Sequence, residues 1–239
     1  LNFLVFADKV KDGALQTDLL QKAADLGFTQ VEIRREYFRD INEEKTVIES
    51  EAKRLGLDLF YSVPDEVYVN GKINPKLEQY VIEAKQMGVK HIKWNIGDYN
   101  GELHLNELRA LLDRGIAISI ENDQTQTSGT IAAIDTYMKA VTKAGVNIGY
   151  VYDLGNWRFV GEDERAAAEL LKDYVQYIHV KDVQLVDQKP QAIGLDHGEI
   201  DWRKVLQILP QDVPVAIEYP TITTTEILEA KKLLEENGK

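Results

Sequence analysis

Ile116-Ala117-Ile118-Ser119-Ile120-Glu121-Asn122, then Thr130 to Ala144, then Ile148-Gly149-Tyr150-Val151-Tyr152-Asp153, is the stretch whose reading decides the fold. The first and third segments are short apolar runs of strand type. The middle one carries apolar residues at helical spacing and stops at Gly145. Both strands hand over to a carboxylate where the chain emerges into solvent.

The same strand and helix alternation continues outward in both directions. Upstream, Asn2 to Ala7 reads as a strand and Leu15 to Leu26 as a helix ending at Gly27. Gln30-Val31-Glu32-Ile33-Arg34 is the next strand, Asn42 to Leu55 a helix stopped at Gly56, and Leu57 to Val63 a strand closed by Pro64. Leu77 to Met87, Val89 to Ile96 and Leu103 to Arg114 add a helix, a strand and a helix. Downstream come a helix over Glu162 to Asp173, a strand over Tyr174 to Val180 and a helix over Trp202 to Leu209. A strand over Val213 to Ile217 and a helix over Thr224 to Glu236 complete the series. Eight such units in 239 residues match a (β/α)8 TIM barrel, whose usual length is about 250 residues. The expectation is an α/β fold, one barrel domain over residues 1–239. An open doubly wound sheet fits less well, because no glycine-rich phosphate turn follows the first strand and no P-loop occurs.

Composition narrows the function classes. Lys and Arg total 28 against 40 Asp and Glu, a net charge of -12, so the mean field repels nucleic acid and anionic membrane surfaces. The first residues, Leu1 to Ala7, are too short for a membrane span and lack a basic flank with a cleavage site. With 0 cysteines, thiol nucleophiles and thiolate metal sites are excluded, and a reducing cytoplasm is the expected location.

In a barrel of this kind active sites form where strands end at the C-terminal face. The fifth strand ends in Glu121-Asn122-Asp123, the sixth in Asp153, the seventh carries His179 in Tyr177-Ile178-His179-Val180-Lys181-Asp182, and the eighth ends in Glu218-Tyr219-Pro220. Taken singly, Glu121 reads as a helix cap, Asp153 as a turn residue, His179 as a core imidazole and Glu218 as a surface ion-pair partner. Together, three carboxylates and one imidazole at one rim would repel one another strongly unless a divalent cation joins them. Predominantly oxygen ligation with one nitrogen suits Mn²⁺ or Mg²⁺ best, with Co²⁺ or Zn²⁺ also compatible.

The series Ile-Glu121-Asn122, Asp153-x-Gly155, Ile-His179-Val-Lys181-Asp182 and Ile-Glu218-Tyr219 resembles the xylose-isomerase-like barrels, in particular their sugar phosphate isomerase and epimerase group. Glu32-x-Arg34 and Gly198-Glu199-Ile200-Asp201-Trp202 agree with that resemblance. It implies a metal held by Glu121, Asp153, His179 and Glu218, and a divalent-metal-dependent isomerase or epimerase acting on a small sugar, keto acid or cyclitol through a metal-stabilised enediolate. In the epimerase branch the residues matching Glu121 and Glu218 also move protons. Glu32, Lys93 and Lys181 are candidates for binding hydroxyls or phosphate, with salt bridges inside the barrel as the other reading.

The chain departs from the family's pattern in three places. Asn156 stands where many members carry histidine; it can hydrogen-bond a hydroxyl but cannot carry a proton near neutrality. Val183-Gln184-Leu185-Val186 lacks the arginine of the epimerase branch, and His197 replaces a common acidic residue before Gly198. His197 is a candidate proton carrier or a solvated loop residue, and Trp157 a candidate wall for the sugar ring or ordinary packing. A dehydratase of a keto-cyclitol or dehydroshikimate-like substrate, and a non-catalytic sugar-binding barrel, are the alternatives. The apurinic-site endonuclease branch needs more histidines than the 4 present. Expected partners are a small sugar, polyol or keto substrate, with no nucleic acid and no membrane, and a homo-oligomer left open.

Overall fold

The computed structural model describes residues 1–239. Ten strands are formed: β1 (Gln30–Arg34), β2 (Asp58–Val69), β3 (Lys72–Ile73), β4 (His91–Gly97), β5 (Ala117–Glu121), β6 (Gly149–Asp153), β7 (Val175–Val180), β8 (Asp182–Val186), β9 (Lys189–Ile193) and β10 (Val215–Ile217). Between them lie α1 (Ala7–Lys11), α2 (Gln16–Asp25), α3 (Ile41–Leu55), α4 (Leu77–Gln86), α5 (Leu105–Leu112), α6 (Ile131–Lys143), α7 (Trp157–Val160), α8 (Glu164–Leu171), α9 (Trp202–Ile208) and α10 (Thr224–Glu236). Strands β1, β2, β4, β5, β6, β7 and β10 pair in parallel in that order. The result is the expected α/β barrel, nearly closed, with helices following its strands.

The closing stave differs from the expected first strand over Asn2 to Ala7. Only Asn2 pairs with Glu32, helped by bonds from Glu32 N to Leu1 O at 2.8 Å and from Asn2 N to Ile217 O at 3.1 Å. The chain then turns into a 3-10 helix over Phe3–Phe6, because the Asn2 side chain accepts a hydrogen bond from Leu4 N at 2.8 Å and caps the turn. Phe3, Val5 and Phe6 are still buried, so their apolar character reflects packing rather than extension.

Two further departures concern hairpins. Strand β2 does not stop at Pro64 but runs on to Val69, with its register against β4 shifting between Ser62 and Glu66. Proline, which has no N–H to give a ladder, sits inside that irregularity. Beyond β7, the chain makes an antiparallel hairpin of β8 and β9, turning at Asp187 and Gln188 with φ of 49° and 63°.

Strand alternation sorts the side chains. Ile33, Tyr61, Trp94, Ile120, Tyr152 and Ile178 point outward and join a contiguous core of 59 buried residues. The barrel's own interior holds a far smaller apolar cluster, Val151, Tyr177 and Ala216 with Phe60. His91 stacks there, 5.3 Å from Phe60. Above this floor the inward positions are polar, and that is where the site forms.

The loop before α9 is fastened to the barrel by Asp182. Its carboxylate accepts from Val183 N at 2.8 Å, Gly198 N at 2.8 Å and Ile200 N at 3.0 Å. A side chain at Gly198 would overlap that carboxylate, which is why glycine is required there. Asp201 then caps α9 and Trp202 is buried, its Nε1 donating to Asp196 Oδ1 at 2.9 Å. Replacing Asp182 with alanine leaves these N–H groups without their acceptor and should cost about 2–5 kcal/mol. Urea denaturation of the variant and the parent measures it.

Candidate metal centre

Glu121 and Asp153 close β5 and β6, His179 is the penultimate residue of β7, and Glu218 follows β10. Parallel pairing in register brings these ends together: His179 lies opposite both Asp153 on β6 and Ala216 on β10. One ligand atom from each of the four residues lies within 4.8 Å of the others, and all four are buried. His179 Nδ1 is 2.5 Å from Glu121 Oε1 and 3.3 Å from Glu218 Oε2. Its Nε2 meets Glu32 Oε2 at 2.8 Å.

Cations are interleaved with the carboxylates. Lys93 pairs with Glu121 Oε2. Lys181 Nζ lies 2.6 Å from Asp153 Oδ2 and 3.0 Å from Glu218 Oε2. Arg34 Nη1 and Asn2 Nδ2 donate to the other oxygen of Glu218, at 3.0 Å and 3.1 Å.

Burial and these charges set the protonation of each group. Burial pushes Asp153 up to about 7, outweighing the opposing charge of Lys181, with Glu218 and Glu121 adding to the rise. Burial also acts to raise Glu218, but the charges of His179 and Lys181 hold it well below the usual carboxylate range. Glu121 is likewise lowered against its burial, by Lys93 and His179. Glu32 is held at about 2 by the charge and hydrogen bond of His179, again against burial. Burial would make His179 neutral, yet Glu218, Glu32 and Glu121 keep it protonated well above its ordinary value.

The supporting residues fix the geometry. Asn122 staples β5 to β6: its Oδ1 accepts from Asp153 N at 2.9 Å and Tyr150 OH at 2.7 Å, while Nδ2 donates to Asp153 O at 2.9 Å. Asp153 Oδ1 accepts from the backbone N of Gly155 and Asn156, both at 2.9 Å. A Cβ at Gly155 would collide with the stem of Lys181, so the Asp-x-Gly spacing is what lets the ammonium reach Asp153. Asn156 Oδ1 accepts from Lys181 at 3.3 Å and from Gln124 at 3.1 Å.

Other residues singled out in the sequence lie elsewhere. Trp157 is fully buried and packs 5.7 Å from Tyr152, an outward-facing ring, so it belongs to the layer between sheet and helices. His197 is exposed and lines a depression shared with Tyr219 and α10. Asn2, Arg34 and Asn122 were not among the expected site residues. Arg34 was findable, since it stands two residues after Glu32 on the same face of β1.

The donor set fits a divalent cation. It offers three carboxylates and an imidazole, all buried, whose ligand atoms converge on one point. Fold and cluster together define an α/β barrel with a buried Glu/Asp/His metal-type centre at the C-terminal ends of its strands. The chain belongs to the xylose isomerase-like TIM barrel family, whose model matches residues 20–237. No curated protein matches the chain significantly.

Solved structures of similar fold include the probable 3-DHS dehydratase AsbF of Bacillus anthracis, at TM-score 0.72 and 15% identity over 100% of this chain and 98% of that one. The IOLI protein, described with a bound zinc atom, superposes at TM-score 0.74 with 14% identity over 100% and 96% of the two chains. D-psicose 3-epimerase does so at 0.67 with 14% identity over 95% of each. At these identities the likeness is one of fold.

An acid whose folded pKa lies above its unfolded value gains a proton on folding, so its ionisation works against the folded state. The contribution of Asp153 is intact below its ordinary 3.8 and is lost as pH rises through about 7. In thermal melts of chelator-treated protein across this range, the parent should therefore lose stability relative to Asp153→Asn as pH rises.

Proposed function

We propose that the chain is a divalent-metal-dependent isomerase or epimerase of a small sugar, or of a related polyol or keto compound, working through an enediolate. The observation that carries this reading is the convergence of Glu121, Asp153, His179 and Glu218 at the barrel's catalytic face. These four residues would hold the metal. Bound there, Mn²⁺ or Mg²⁺, with Co²⁺ and Zn²⁺ as alternatives, supplies Lewis acidity to a carbonyl and its neighbouring hydroxyl.

The protein's own groups divide the remaining work. Asn2 and Arg34 hold Glu218 Oε1 while Oε2 faces the cluster, where Lys181 donates to it at 3.0 Å, and Glu218 takes a proton from the carbon beside the carbonyl once substrate displaces that contact. Glu121 is placed symmetrically, with Lys93 on its outer oxygen, and serves as the second proton carrier in an epimerisation. Lys93 and Lys181 stabilise negative charge gathering on the substrate oxygens, and Asn156 orients a hydroxyl. The absence of cysteine fits work in a reducing cytoplasm.

Incubation with Mn²⁺ and a panel of ketoses and keto acids in D₂O should place deuterium on the carbon next to the carbonyl. Absence of exchange across the panel sinks the reading, and loss of water from the product moves it to the dehydratase chemistry. Glu218→Gln should lower turnover by about 100- to 10,000-fold. Mn²⁺ at one hundred times its dissociation constant should stabilise the chain by about 2.7 kcal/mol, and His179→Ala should abolish that shift in thermal melts.

A further inference from the structure

Glu32 lies deeper than the two glutamates among the proposed metal donors. Its side chain and that of His179 are both 0% exposed, whereas Glu121 and Glu218 each keep 5%. It contacts the imidazole from the side opposite the donors: Nε2 meets Glu32 Oε2 at 2.8 Å, while Nδ1 faces Glu121 and Glu218. A substrate arriving at the strand ends would find His179 between itself and Glu32.

The closest side-chain hydrogen bond of this carboxylate is the one to the imidazole, at 2.8 Å. Lys93 and the Tyr177 hydroxyl also act on it, yet the fully buried charge lies nearest one ring nitrogen. Such a group is costly for stability and is better explained by control of the imidazole it touches. Its backbone is held on both flanks, by pairing with Phe60 on β2 and by the bridge to Asn2. The Tyr177 ring abuts the imidazole edge-on at 4.7 Å, which restricts rotation.

We propose that Glu32 is a positioning residue: by accepting the Nε2–H of His179 it selects Nδ1 as the ligating nitrogen and raises the affinity of the centre for a divalent cation. This rests on the metal-centre reading above. A substrate-binding part for Glu32 does not agree with its place behind the imidazole.

Zn²⁺ titration of the full chain, followed by calorimetry and by long-range ¹H–¹⁵N correlation of the histidine rings, tests it. In the parent chain His179 should ligate through Nδ1 and retain a proton on Nε2. Glu32→Gln should weaken Zn²⁺ binding by about 10- to 100-fold while the metal-free melting curve stays cooperative, and Glu32→Asp should recover part of the loss. Equal affinity in parent and Glu32→Gln overturns the proposal. So does ligation through Nε2 in the parent chain, an observation that needs no variant to fold. Failure of the parent chain to bind Zn²⁺ or Mn²⁺ at all is a different outcome, and removes the metal-centre reading together with this inference.

Discussion

Four carboxylates enclosed in one barrel must be compensated, and the rest of the structure follows from how this is done. A buried carboxylate left alone costs several kcal/mol even after relaxation. Glu121 has Lys93, Asp153 has Lys181, Glu218 has Arg34 with a share of Lys181, and Glu32 has His179. The compensation explains why the upper space inside the strands is polar while the layer between strands and helices is mainly apolar. It also explains glycine at position 155, where any side chain would deflect the lysine stem.

The same pairs orient the donors. Lys93 holds the outer oxygen of Glu121 and Arg34 that of Glu218, while their inner oxygens meet His179, with Lys181 also on the inner oxygen of Glu218. Orientation is thus set by groups on neighbouring strands, which move less than loops do. A centre assembled in this way has its charged groups fixed before anything binds, the condition under which fixed dipoles and ions are most effective.

Much of this was legible in the sequence, and what was not has identifiable causes. The parallel strands β1, β2, β4, β5, β6, β7 and β10 showed through because each begins as a short apolar run set off from a helix of different period. The four donors were legible because chemistry in a barrel concentrates at strand ends. Asn2 to Ala7 misled because a capped 3-10 turn packed into the core has the composition of a buried strand. The β8 and β9 hairpin was hidden by a turn at Asp187 and Gln188 without the usual glycine. Asn2 as a clamp on Glu218 was beyond reach, since a hydrogen bond between residues 216 positions apart leaves no local pattern. Asn122 carries no signal of its own in the sequence, because it stands beside a glutamate and its amide serves to hold a neighbouring strand.

Asn2 joins two events that might have been separate. It is the residue through which the barrel closes between β1 and β10, and its side chain donates to Glu218. A chain with its last gap open therefore has Glu218 without that donor, held on Oε1 by Arg34 alone. Barrel closure and the orientation of Glu218 thus share one side chain, so that loosening the N-terminal end of the chain would loosen one corner of the cluster.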